Sequence, residues 1–327
     1  MKDEKNQFTN FKIHTQYSIC EGAIKIHDLA EYCKINKIQA IGLSDSFNLC
    51  GALEFSESIS KVGTQPIIGT QINFNYSDTI GKLPIFAKTD SGYKNLVKLS
   101  SKSYLDAKNS ELPNCNIEEL LKNNKDIIVL SGGMDSLFYA LLKKNKIKEI
   151  ENLAKNLNNT FDDQFYLEIQ RHNDEEEKRL ENTFLSLSKK INIPLIASQE
   201  IFYINQDMYE AHDALLCIGE KTYVDEKKRK KYSDQHYIKN SDELKKLYSD
   251  IPEALINNYN FPYRFNFKLK TSKPVLPSLK ITNNRTEEEE LLSLTKNGLK
   301  HRFEKFILKK YKSEDSKKIQ RKYAERL

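Results

Sequence analysis

The sequence predicts an α/β fold built on a distorted seven-stranded (β/α) barrel. Short β-like runs alternate with helical runs from the start of the chain, the pattern of strands joined by helical crossovers. Seven such runs precede residue 205, a number suited to closing a barrel. The runs end in or near His14, Asp45, Gln71, Gly133, His172 and Glu200. In barrels, functional side chains gather at the C-terminal ends of strands.

The first strand candidate is "FKIHTQY" (11–17), followed by a helix over 27–38 in which Leu29, Tyr32 and Cys33 recur at helical spacing. "AIGLSD" (40–45) and a helix over 52–63 come next. "QPIIGTQINF" (65–74) and "LPIFAK" (83–88) precede a helix over 93–105, and "DIIVLSGG" (126–133) precedes one over 147–157. "FYLEIQRH" (165–172) leads into a helix over 174–193 with Leu180, Phe184, Leu187 and Ile191 on one face. "PLIASQEIFY" (194–203) is the seventh run. Residues 205–258 read as helix, charged loop, strand and helix, and the charge run "DEKKRKK" (225–231) is expected to be a solvated loop.

Pro262, Pro274 and Pro277 break the chain and mark a boundary. It divides a barrel domain over 1–280 from a mainly helical segment over 281–327. There Thr286 with Glu289 three residues on predicts a capping box, with acid in the first turn. The final helix has no closing element, and the chain is expected to continue past Leu327.

Composition narrows the class. The polar start "MKDEKNQFTN" lacks the apolar core of a secretory signal, and no apolar run reaches membrane-span length. The cysteines are odd in number and lack C-x-x-C spacing. This favours reduced thiols and a cytoplasmic location over a zinc ribbon or a disulfide framework. The net charge of +6 lies in the tail: residues 280–327 hold 14 Lys/Arg and 8 Asp/Glu, and the rest is balanced. A basic helical tail can touch phosphates, but a solvated helix is the expected reading. No P-loop and no G-x-S-x-G elbow is present.

Read together, "IHTQYS", "EGAIKI", "LSDSFNLCGALEF" and "PIIGTQ" resemble the N-terminus of bacterial replicative DNA polymerase III alpha subunits. "LSDSFNLCGALEF" stands where that family usually has L-T-D-x-x-N-x-x-G. The resemblance continues in the family's order through "GYKNLVKLSSKSY", "IIVLSGG", "FYLEIQRH", "IPLIASQEIFYI", "AHDALLCI" and "DIPEALINN", across nearly the whole chain. It implies a polymerase-and-histidinol-phosphatase (PHP) domain, with the tail entering the polymerase palm region of a much longer subunit.

Intact PHP domains hold up to three divalent metals through nine His, Asp, Glu and Cys positions. Carried over by resemblance, the H-x-H pair falls on Lys12 and His14, and the Asp-His pair on Asp45 and Ser46. The next glutamate falls on Gln71, the cysteine on Gly133 and a histidine on His172. The D-x-H pair falls on Glu200 and Phe202. Too few ligands survive for a two- or three-metal cluster, since each ion takes about four to six donors. An ammonium ~4 Å from a dication costs roughly 8 kcal/mol at an effective dielectric of 20. Lys12 is therefore expected to take the metal's place, paired with Asp45 or Glu200, with Phe202 filling former ligand space. One stray metal at His14, Asp45 and His172 stays an open alternative.

The expectation is a metal-free, inactive PHP domain with no catalytic residue of its own. By resemblance it buttresses the polymerase and docks a proofreading exonuclease (epsilon) subunit among other holoenzyme subunits. Primer-template DNA and Mg2+ would be bound beyond Leu327. The competing readings are a standalone metal-dependent PHP phosphoesterase, an active 3′–5′ proofreading domain, and a scaffold with no polymerase attached.

Overall fold

A curled, mixed sheet of seven strands runs through the computed structural model, with helices packed around it. The structure describes residues 7–107, 112–278, 281, 285–307, 309 and 313–325. The strands are β1 (Ala40–Ser46), β2 (Gln65–Tyr76), β3 (Thr79–Ala87), β4 (Asn114–Asn116), β5 (Ile127–Leu130), β6 (Phe165–Ile169) and β7 (Leu195–Ala197). Their order is β1-β2-β3-β5-β6-β7, with β4 paired to β2.

Parallel pairing throughout is expected from the alternation, and here the structure differs. β2 and β3 form an antiparallel hairpin, and β3 also pairs antiparallel with β5. The reason is local. Tyr76 pairs with Thr79, so Ser77 and Asp78 make a two-residue turn, with φ of 51° and 56°. Such turns join only antiparallel strands. The remaining contacts, β1–β2, β2–β4, β5–β6 and β6–β7, are parallel, and helices make the crossovers.

The first strand candidate forms no ladder, yet it closes the ring. Ile13 bridges Leu43 of β1 on one side and Ile201, just past β7, on the other. Gly42 N donates to Asn10 O (3.0 Å), Ser44 N to Ile13 O (2.9 Å), and His14 N to Ile201 O (2.9 Å). Only glycine allows this approach at residue 42, where a Cβ would stand 2.3 Å from Phe11 O. The closure sets residues 12–14 beside residue 200.

Local sequence positions the helices. Thr89, Asn116, Ser136 and Asp174 cap the helices at Asp90–Asp106, Ile117–Lys122, Leu137–Lys143 and Glu175–Ile191 with side-chain oxygens. The last buries Leu180, Phe184 and Leu187, as its spacing predicts. Phe11, Phe86, Phe261 and Phe265 pack inside the curl, and each buried ring contributes roughly 1.5–3 kcal/mol.

Residues up to Thr271 form one compact unit and Ser272–Leu327 a second. The second contains helices Glu287–Arg302, opened by the Thr286/Glu289 capping box, and Ser313–Ala324. Phe303 meets Tyr323 edge to face at 5.5 Å. Among the described residues no helix is long and apolar enough to cross a membrane.

Candidate functional site

Lys12 comes from the segment that closes the ring and is fully buried. Its Nζ lies 2.5 Å from Glu200 Oε2 and 3.1 Å from Glu168 Oε1. Glu200 is the hub: its Oε1 meets His14 Nε2 at 2.5 Å and accepts from Gln71 Nε2 at 2.5 Å. Gln170 Nε2 donates to Glu168 (2.6 Å) and to Glu200 (3.2 Å), and Ser198 Oγ donates to Glu168. Burial alone would raise the Glu200 carboxyl, but Lys12 and His14 hold it well below the usual carboxylate range. Burial likewise opposes the Lys12 charge, and Glu168 and Glu200 outweigh it, so its pKa is raised. One buried ammonium is thus shared by two carboxylates, with Gln71, Gln170, His14 and Ser198 satisfying the remaining valences.

Of the two partners expected for Lys12, Glu200 is found and Asp45 is not. Asp45 accepts from Thr15 N (2.7 Å), Thr15 Oγ1 (2.8 Å) and Ser18 Oγ (2.7 Å). Its carboxylate serves the turn after residue 14, and burial raises its pKa. Glu168 takes the place expected of Asp45.

At Ser46, a second cation stands in the cleft. Ser46 Oγ donates to Glu21 Oε2 (2.6 Å), and Lys82 Nζ donates to Ser46 Oγ (3.0 Å) and lies 3.2 Å from Glu21. Lys230 reaches the same Glu21 (3.4 Å) and Asp135 (3.2 Å). Burial pushes Glu21 up, but Lys82 and Lys230 outweigh it and bring its pKa down to about 2. At Gly133 a Cβ would sit 2.1 Å from Gln170 Oε1, so the Gln170 carboxamide fills the space a side chain would take.

His172 turns away from the Lys12 cluster. Its Nε2 accepts from Glu200 N (3.1 Å), and its Nδ1 therefore carries the proton toward Glu177 Oε1 (2.6 Å). Burial first, then Lys239, pushes its pKa down to about 3. The ring stacks on His236 at 4.0 Å and 6°. Phe202 is buried, stacked on His14 (4.6 Å) and Tyr232 (4.6 Å) and near His212 (5.3 Å). Both nitrogens of His172 and both oxygens of Asp45 are engaged locally. Among the described residues no group of three or more His, Cys, Asp or Glu is arranged to hold a metal ion.

The charge run 225–231 departs from the expected solvated loop. Residues 225–228 are exposed, but Arg229 grips Asp213 with two 2.6 Å bonds and Lys230 enters the cleft. Tyr232 OH donates to Asp135 (3.1 Å), and Ser233 Oγ donates to His172 O (2.6 Å). The segment is a strap across the cleft, because Arg229, Lys230, Tyr232 and Ser233 each find a partner on the other side. Beside it lies a cavity of about 310 Å3, lined in part by Glu200, Gln170, Tyr232 and His236.

Glu168, Gln170, Glu21 and Lys82 were missed by sequence reasoning. Glu168 and Gln170 had a signal: they share a face two residues apart in "FYLEIQRH" and interrupt an otherwise apolar strand. Lys82 had only its place in strand alternation. Glu21 and Lys230 had none, since their meeting depends on chain returning from over two hundred residues away.

Comparison with known proteins adds the following. A family model described as PHP domain matches residues 10–172. The chain is 32% identical over 317 residues to a DNA polymerase III subunit alpha of Caulobacter vibrioides, covering 94% of the chain and 28% of that protein. It is 31% identical to the subunit alpha of Rickettsia bellii (99% of the chain, 28% of the relative). It is also 31% identical to that of Borreliella burgdorferi (93% and 28%). The chain therefore spans little more than a quarter of these relatives' length. A solved amidohydrolase structure from Chromobacterium violaceum superposes with a TM-score of 0.42 at 8% identity, over 63% of this chain and 96% of that one.

Proposed function

The chain belongs to the PHP domain family and is similar along nearly its whole length to DNA polymerase III alpha subunits, and from that premise we propose that it is the N-terminal PHP portion of a replicative polymerase's catalytic subunit. In this reading the barrel domain extends to residue 280 and residues 281–327 open the polymerase core. The complete cytoplasmic protein would extend primer-template DNA with Mg2+ held by carboxylates beyond Leu327. The barrel would buttress the polymerase and dock a proofreading exonuclease subunit.

Within that reading the PHP cleft is metal-free and has no hydrolytic activity of its own. The observation that carries this is the Lys12 ammonium bonded to Glu200 and Glu168 at the base of the cleft. A divalent ion there would meet a fixed positive charge, and its best carboxylates are already neutralised. Lys82 repeats the arrangement at Ser46 and Glu21. The residues present do not fit a PHP metal cluster, so no hydrolytic step is assigned to them. Their role is cohesive: two lysines tie strand ends together across the ring.

Calorimetric titration with Mn2+ and Zn2+, alongside a 3′-end trimming assay, tests this reading. We expect no stoichiometric binding and no trimming. One metal bound per chain, or steady release of nucleotide from a DNA 3′ end, would overturn it. Specific capture of a proofreading exonuclease subunit by this chain tests the docking role.

A further inference from the structure

A second cavity, of about 790 Å3, opens on the far side of Lys230, and Lys12, His14 and Glu200 are not part of its wall. Strand register builds its polar side. Lys82 of β3 pairs with Asn73 of β2, and Asn73 pairs with Asn114 of β4, so three polar side chains form one row across three strands. All three line the cavity.

Two members of the row are committed. Lys82 is held by Glu21 and Ser46. The Asn114 amide donates to Leu112 O (2.9 Å). Asn73 differs: it is only 5% exposed, and no hydrogen bond engages its side chain among the described residues. Its Oδ1 and Nδ2 are not among the fully buried polar atoms that lack a partner, so the carboxamide reaches the cavity with hydrogen-bonding capacity to spare. The opposing rim is apolar and open, with Ile19 at 81%, Tyr104 at 54% and Ile80 at 44% exposure. An aromatic and aliphatic wall with a few convergent polar groups is the usual make-up of a small-ligand pocket, and the volume is in that range.

The charge pattern selects the ligand's chemistry. Both lysines of the wall already face Glu21 and Asp135, so among the described residues neither is free for a phosphate. The Asn73 carboxamide offers a donor and an acceptor in one plane. We propose that this cavity binds a nucleobase, an uncharged flat ring whose donor–acceptor edge pairs with Asn73 while its body lies against the apolar wall. The base is supplied either by a free nucleoside or by an unpaired position in a single strand.

The test is calorimetric titration of the whole chain with the four deoxynucleosides, indole and N-methylacetamide. At least one deoxynucleoside is expected to bind saturably. Indole, which lacks the paired edge, and N-methylacetamide, which lacks the ring, should bind at least tenfold more weakly. Asn73→Ala should weaken the nucleoside at least tenfold, and Tyr104→Ala, at an exposed helical position that leaves the core intact, should weaken it too. A short single-stranded oligonucleotide that binds tighter than its nucleosides assigns the base to a strand; equal affinity assigns it to the free nucleoside. Absence of saturable binding, indole binding as well as the nucleosides, or full affinity in Tyr104→Ala would overturn the proposal.

Discussion

Lys12, itself without solvent access, ties buried Glu168 to partly buried Glu200, so its removal strands two carboxylates, one of them fully buried. Lys12→Met is expected to destabilise the barrel by about 3–5 kcal/mol in urea unfolding, the usual cost of breaking a buried pair from one side. Adding Glu168→Gln and Glu200→Gln should restore most of that loss, since no unpaired charge remains. An equally unstable triple variant would show that packing, not charge, holds the cluster. The histidines give a pH prediction. Burial pushes His172 down to about 3 and His236 well below the ordinary imidazole value. Both stay neutral in the fold, whereas the unfolded chain protonates them below about pH 6.5. Their contribution is complete above pH 6.5 and is lost as pH falls toward the folded values. The slope approaches roughly 2.7 kcal/mol per pH unit for two protons. Urea midpoints at pH 7.5, 6 and 5 should fall steadily; a constant midpoint would contradict the assignment.

Among the elements, the β2–β3 hairpin and the strap decide most. Asp78 sits at a φ of 56°, which costs a non-glycine residue conformational energy. Asp78→Gly should raise stability by about 0.5–1 kcal/mol, read as a shift in thermal midpoint. The strap depends on Arg229, whose side chain is buried against Asp213. Asp213→Ala should release it, and trypsin should then cut at 227–231 several times faster than in the parent chain. An unchanged cutting rate would mean that Lys230 and Tyr232 hold the strap unaided. Much of this scale was legible. The helix at Glu175–Ile191 follows its periodicity, and the Thr286 capping box forms as its spacing predicts. β4 and the helices at Ile117–Lys122 and Leu137–Lys143 were not legible, because each is too short for a periodic signal.

For the whole molecule, the division at Thr271 carries a prediction. The first unit holds the three buried clusters of the barrel. A fragment ending at Thr271 should therefore unfold cooperatively with a midpoint close to that of the full chain. A broad, non-cooperative transition would show that the barrel relies on residues 272–327.

By itself the sequence determined the fold class and the family, and it set Lys12, Ser46, Gln71, Gly133 and Phe202 at the positions where the resemblance expects metal ligands. Those are properties of residue identity and order, and each can be read one position at a time. The tertiary structure decided the pairing. It gave Lys12 to Glu168 and Glu200 rather than Asp45, brought Lys82 and Lys230 to Glu21, and folded a charged run across the cleft. The physical reason is that a buried charge takes whichever opposite charge the closed ring places within about 3 Å. In this barrel those partners lie as much as 209 residues apart along the chain, where no local pattern can pair them.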